Sequence, residues 1–141
     1  MSIPVNPWAV LLAATAAWMV GAGYYTLLAQ TWVAALGTTM EHLQREQAQK
    51  AGTPAAWMPF VLAFLAELVM AWVLAGIMVQ TGALNLVDGL LTGALAWLGL
   101  VITTVAVNNT FAGRKPLLTV VDGGHWLLVL LVMSAILGVF G

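Results

Sequence analysis

The chain contains no cysteine, and that absence removes disulfides, thiolate ligands for zinc or iron–sulfur clusters, and thiol nucleophiles. It is almost as poor in charge, with Asp, Glu, Lys and Arg making up 6% of its 141 residues. Four Lys and Arg residues and a net charge of -1 cannot form the clustered basic surface that phosphate backbones require, so nucleic acid is excluded as a partner. Two histidines are present. One of them, His42, lies in a polar segment, so a haem with two axial imidazoles inside the membrane is excluded as well. Ser2 and Ser134 are remote from His125, which leaves a Ser-His-acid hydrolase without a nucleophile at the right depth. No ligand spacing ties Glu67, Asp122 and His125 into a metal site. No catalytic residue, metal or cofactor is therefore expected, and an enzyme acting on a lipid or isoprenoid is the weakest of the functional readings.

What is abundant is apolar. Hydrophobic residues make up 62% of the chain, and its mean hydropathy is +1.01. Such a composition belongs to a protein whose solvent is the bilayer. The first apolar stretch has no Lys or Arg ahead of it and no clean cleavage end, so it reads as a retained helix and not as a secretory signal.

Four runs are long enough to cross. Asn6 followed by Pro7 is a good helix opening, and the first run extends over about 7–28. The second covers about 57–80 and stops at Gly82, where a left-handed cap fits. Asn85 with Asp88 three residues on predicts the start of the third, over 86–107, with the carboxylate serving as a cap. Pro116 opens the fourth, over 116–140. At ~1.5 Å per residue each run covers the roughly 30 Å hydrocarbon core. Between the first two runs lies a polar connector over 30–56. Thr38 and Glu41 have the spacing of a capping box for a short helix there, Glu41–Arg45 and Glu46–Lys50 are i to i+4 pairs, and Gly52 and Pro54 end it. The expected fold is all-α: one transmembrane domain over 1–141, an integral membrane four-helix bundle with a short polar cytoplasmic helix between helices one and two.

All four cations fall in the connections after the first and third runs, so loops 29–56 and 108–115 are expected in the cytoplasm with both termini outside. Trp8, Trp32 and Trp57 fall near expected interfaces, where an indole keeps its ring apolar and its N–H wet. Small residues recur at four-residue spacing in Ala13, Ala17 and Gly21 and in Gly89 and Gly93, which implies close helix packing within the chain or between chains of a dimer.

Ionisable groups inside the runs are the candidates for function. Glu67 lies ten residues into the second run, near the bilayer midplane, and must pair, reach water or stay protonated. Asp122 and His125 share one face of the fourth run, at i to i+3, and counting from the helix starts puts His125 at nearly the depth of Glu67. Gly123 and Gly124 allow a neighbouring helix to approach closely. Tyr24 and Tyr25 on the first run, with Thr103, Thr104 and Asn108 on the third, reach the same half of the membrane.

The run Gly21 to Tyr25 leading to Trp32, together with Phe111-Ala-Gly-Arg114 and Asp122-Gly-Gly-His125, resembles a widespread bacterial family of small four-helix integral membrane proteins of unknown function. The connector over 40–51 is longer and more polar than that pattern. The resemblance implies the four-helix architecture and a bacterial inner membrane, and it singles out Tyr25, Asp122 and His125 without giving them a role. Two readings follow. One is a protonatable intramembrane site for small-solute binding or proton-linked transport, formed by Glu67, Asp122, His125, Tyr24, Tyr25 and Asn108. The other is an accessory or scaffold subunit of a larger membrane complex holding protein, quinone or pigment, in which the polar groups bond helix to helix.

Overall fold

The computed structural model describes residues 4–141. Four helical stretches are long and apolar enough to cross a membrane: Pro7–Leu27, Met58–Thr81, Leu86–Phe111 and Pro116–Phe140. The protein is an all-α membrane bundle, and among the described residues there is no strand.

Helix α1 (Pro7–Leu27) starts as its sequence requires. The Asn6 side chain accepts from the Trp8 amide at 3.1 Å, and Pro7 occupies the first turn, where it forfeits no hydrogen bond. The next segment departs from expectation. Leu28 breaks the helix, but residues 29–36 continue as α2 (Ala29–Leu36), which buries Val33 and Ala35 and ends at Gly37 with φ 77. Both residues are buried where this segment folds back against the Pro116–Phe140 helix. The Lys115 ammonium donates to the Ala34 carbonyl at 3.2 Å, placing a cation at the negative end of α2.

Helix α3 (Met40–Lys50) buries no residue. Its cap is Thr39, which accepts from the His42 amide at 3.2 Å, and not Thr38 as the spacing to Glu41 suggested. Glu41 pairs with Arg45 as expected, whereas Glu46 meets His42 at 3.1 Å instead of Lys50. A one-turn 3-10 segment (Pro54–Ala56) leads into α4 (Met58–Thr81), which ends at Gly82 with φ 73.

The third span is longer than expected and is not a uniform helix. Helix α5 (Leu86–Ala96) is capped by Asn85, whose side chain accepts from the Asp88 amide at 2.9 Å and donates to the Asp88 carboxylate at 2.6 Å. A π-helical turn (Trp97–Val101) follows, and α6 (Ile102–Phe111) completes the crossing. Helix α7 (Pro116–Phe140) forms the fourth.

The centre of the molecule is α7. It packs against α1 on one side and against α5 and α6 on the other, with α2 across its first turns, while α4 packs chiefly on α1. The third span is consequently peripheral, with 6% of its most apolar window buried against 44% for α7. The small-residue positions meet within the chain. Ala13, Ala14, Ala17 and Gly21 are the buried face of α1, and a Cβ at Gly89 or Gly93 of α5 would collide with Ser134 of α7. Large side chains such as Leu62, Val69, Trp72 and Leu100 face outward, as they must where lipid is the solvent. Trp8 and Trp57 are exposed near helix starts as expected, but Trp32 packs edge-on against Tyr25, 5.6 Å between ring centroids.

Two ends can be distinguished. Arg45, Lys50, Arg114 and Lys115 all lie in connections at one of them, the basic end. At the opposite end the Asn6 amide donates to the Phe140 carbonyl at 3.1 Å and fastens α1 to α7.

Candidate functional site

Near the basic end the last two turns of α1 run antiparallel to the segment Val121 to Trp126 of α7. The Tyr25 hydroxyl donates to Oδ1 of the half-buried Asp122 at 2.6 Å. One residue earlier, the Tyr24 hydroxyl donates to the Val121 carbonyl at 2.6 Å. That carbonyl belongs to a helical turn, so it accepts the phenol's proton on its second lone pair.

The two glycines after Asp122 let two other helices, α1 and α6, reach this segment closely. A Cβ on Gly124 would lie 2.7 Å from the Tyr24 hydroxyl, and a Cβ on Gly123 would collide with the Ile102 side chain. Trp97 also reaches this segment, its indole donating to the Gly123 carbonyl at 2.8 Å. Trp97 is the first residue of the π-helical turn, and such turns re-aim side chains that a regular helix would carry past the target.

His125 closes the group. It is 8% exposed, and its ring lies 4.7 Å from that of Tyr25, 5.7 Å from Tyr24 and 4.6 Å from Trp126. Gly21 of α1 makes room for it, because a Cβ there would stand 2.6 Å from Nε2. Buried Nδ1 has no hydrogen-bond partner among the described residues. An orphaned polar atom inside a membrane protein is costly, which marks it as a place where a proton, water or ligand group completes the structure.

The structure brings Tyr24, Tyr25, Asp122 and His125 together and leaves the other sequence candidates outside. Glu67 is buried, at 2% exposure, but lies elsewhere. Helix α4 is antiparallel to α1, with the Trp18 indole donating to the Phe60 carbonyl at 3.1 Å and its ring 5.8 Å from Phe64. At the other end of the same seam, Val5 lines a groove with Trp72, Gly76 and Gln80. Between these anchors Glu67 falls beside Ala13 and Ala14, whereas His125 is level with Gly21. The separation is about 10 Å along the axis at ~1.5 Å per residue. Counting from the helix starts gave equal depths because it took α4 and α7 to begin at one level, and α7 begins well ahead of α4, under α2.

Asn108 is also outside. It is exposed on α6, lining a shallow groove with Thr103, Thr104 and Val107, and the two threonine hydroxyls donate to their own helix at Gly99 and Leu100. Its neighbour Asn109 makes the link, donating to Thr119 of α7 at 3.1 Å. Ser134 donates to the Leu130 carbonyl, and Ser2 lies outside the described residues.

Sequence reasoning missed Trp97, Ile102 and Trp126. Trp97 carried one available signal, its four-residue spacing from Gly89 and Gly93, but that spacing spoke for packing and not for a bond across the π-helical turn. No pattern in the sequence marked Trp126 as a wall for the residue before it.

The model of a family described as "Protein of unknown function (DUF1761)" matches residues 8–138. The match takes in Gly21 to Tyr25, Trp32 and Asp122 to His125, so the resemblance drawn from those motifs holds, and the chain belongs to that family. Nothing among curated proteins or solved structures matches it.

Proposed function

We propose, for this member of a family of unknown function, that Asp122, His125, Tyr25 and Tyr24 form a protonatable intramembrane site serving proton-linked binding or movement of a small solute. One observation carries the reading: a buried imidazole with an unpartnered Nδ1 stands one helical turn from a carboxylate already held by a phenol. Structural polar groups in a bundle satisfy one another, as Tyr24, Trp97 and Asn109 do here, and an ionisable group left unsatisfied is costly unless it is used. The groups facing His125 are Tyr24 and Tyr25 from α1 and Asp122 on its own helix. The cation asymmetry supports a cytoplasmic basic end, with both termini outside. The site then lies in the cytoplasmic half of the bundle.

Proteoliposomes with an internal pH-sensitive dye test this. Asp122→Asn and His125→Ala are expected to abolish pH-dependent flux, while Asn108→Ala leaves it at the wild-type level. Folded Asp122→Asn and His125→Ala variants that move protons and solute as the wild type does would refute the assignment.

The accessory-subunit reading draws on a different observation, the third span, which packs on α7 through one face and leaves most of its residues incompletely buried, with Thr103, Thr104 and Asn108 lining an open groove. Purification in mild detergent followed by native mass spectrometry separates the two, since a larger complex supports the subunit reading and a lone oligomer the transport one.

A further inference from the structure

Glu67 is the buried ionisable group that this site does not use. It is 2% exposed, and its Oε2 has no hydrogen-bond partner among the described residues. The same face of α4 continues as Ala71, Leu74, Ala75 and Met78, all buried. Across the seam, α1 contributes Ala13, Ala14 and Ala17, each at 0% exposure. No Lys or Arg lies within any of the four spans, so no counter-ion is available at this depth. The titratable groups on the helices packed against α4 are Tyr24 and Tyr25 of α1, Asp122 and His125 of α7, and Asp88 of α5. The first four sit about two to three turns nearer the basic end, and Asp88 is bonded to Asn85 at the opposite end.

The layer between the two levels holds Ala17 of α1 and Val129 of α7, both at 0% exposure. Proton hops run between groups in hydrogen-bond contact, about 3 Å apart. A gap of about 10 Å bordered by methyl groups has no carrier. The surroundings also select the ligand. A metal ion would need several oxygen donors around it, whereas a proton needs only the carboxylate itself.

We propose that Glu67 is a second proton-binding site, seated in the seam between α1 and α4 and insulated from the Asp122–His125 site. The inference does not rest on the transport reading, because it follows from the packing of α4 against α1. The protein thus takes up protons at two independent places, one near the basic end and one deeper in the bundle.

Infrared spectroscopy of the protein in proteoliposomes across a pH series reads this directly, through the carbonyl stretch of a carboxylic acid, which is resolved from the bands of carboxylates. The wild type is expected to show an acid band that Glu67→Gln removes completely and that keeps its position and pH midpoint in Asp122→Asn and His125→Ala. A lipid-soluble carbodiimide gives a second readout. The carboxyl oxygen adds to the central carbon, the acid proton moves to nitrogen, and an internal acyl shift leaves a stable N-acylurea with nothing expelled. The adduct is expected on the peptide containing Glu67 and absent from Glu67→Gln. Identical spectra for wild type and Glu67→Gln would overturn the proton site. A midpoint displaced by His125→Ala would overturn the insulation. Loss of flux in His125→Ala with the Glu67 band unchanged leaves both sites standing, and unaltered flux with the band present refutes only the transport reading.

Discussion

Replacing Gly124 by alanine tests the packing on which the site depends. The new Cβ would stand 2.7 Å from the Tyr24 hydroxyl, where ordinary contact begins near 3.4 Å, so one of the two must give by about 0.7 Å. The hydroxyl is held by a 2.6 Å bond to Val121, and that displacement stretches and weakens it. Overpacking of this kind costs roughly 1–3 kcal/mol. The weakened interhelical bond adds up to about 1.7 kcal/mol. Better helix propensity returns up to ~1 kcal/mol. A net destabilisation of up to about 4 kcal/mol is expected, read as a shift of the unfolding midpoint in detergent micelles. Two controls isolate the cause. Gly23→Ala adds the same methyl to α1 where nothing lies within 4 Å, so it should be neutral or mildly stabilising. Tyr24→Phe removes the obstructing oxygen and leaves the ring carbon behind it at an ordinary 3.7 Å from the new methyl, so Gly124→Ala should cost almost nothing in that background. The double-mutant cycle should therefore return most of the penalty as coupling between the two positions. If Gly124→Ala costs the same with and without the tyrosine hydroxyl, the packing argument is wrong.

Trp97→Phe removes the donor to the Gly123 carbonyl while keeping an aromatic ring, and should lower stability by about 0.6–1.7 kcal/mol in the same unfolding assay. Unchanged stability would mean that the π-helical turn owes nothing to that bond. Thr39→Ala should fray α3 at a local cost of about 1 kcal/mol, seen as faster amide exchange near His42, whereas Thr38→Ala should not. Equal effects at the two threonines would contradict the observed cap.

The sequence determined the class of protein and the course of its chain. Runs of apolar residues about 20 long leave few alternatives to spanning helices, because unsatisfied backbone cannot cross lipid. Caps at Asn6, Asn85 and Gly82 were legible because they depend only on neighbours a few residues away. The meeting of Asp122 and His125 was legible for the same reason, since i to i+3 is a local relation. What depended on one helix sliding against another was not. The depth of Glu67 relative to His125 is set by the stagger of α4 and α7, which Trp18, Phe60 and Gly21 fix through contacts distant in sequence. The choice of Asn109 over Asn108 as the inward amide depends on the rotation of α6 after the π-helical turn. Composition and local spacing thus decided which groups lie in the membrane, and tertiary packing alone decided which of them meet, because helix stagger and rotation are set by side chains fitting across interfaces that no single helix encodes.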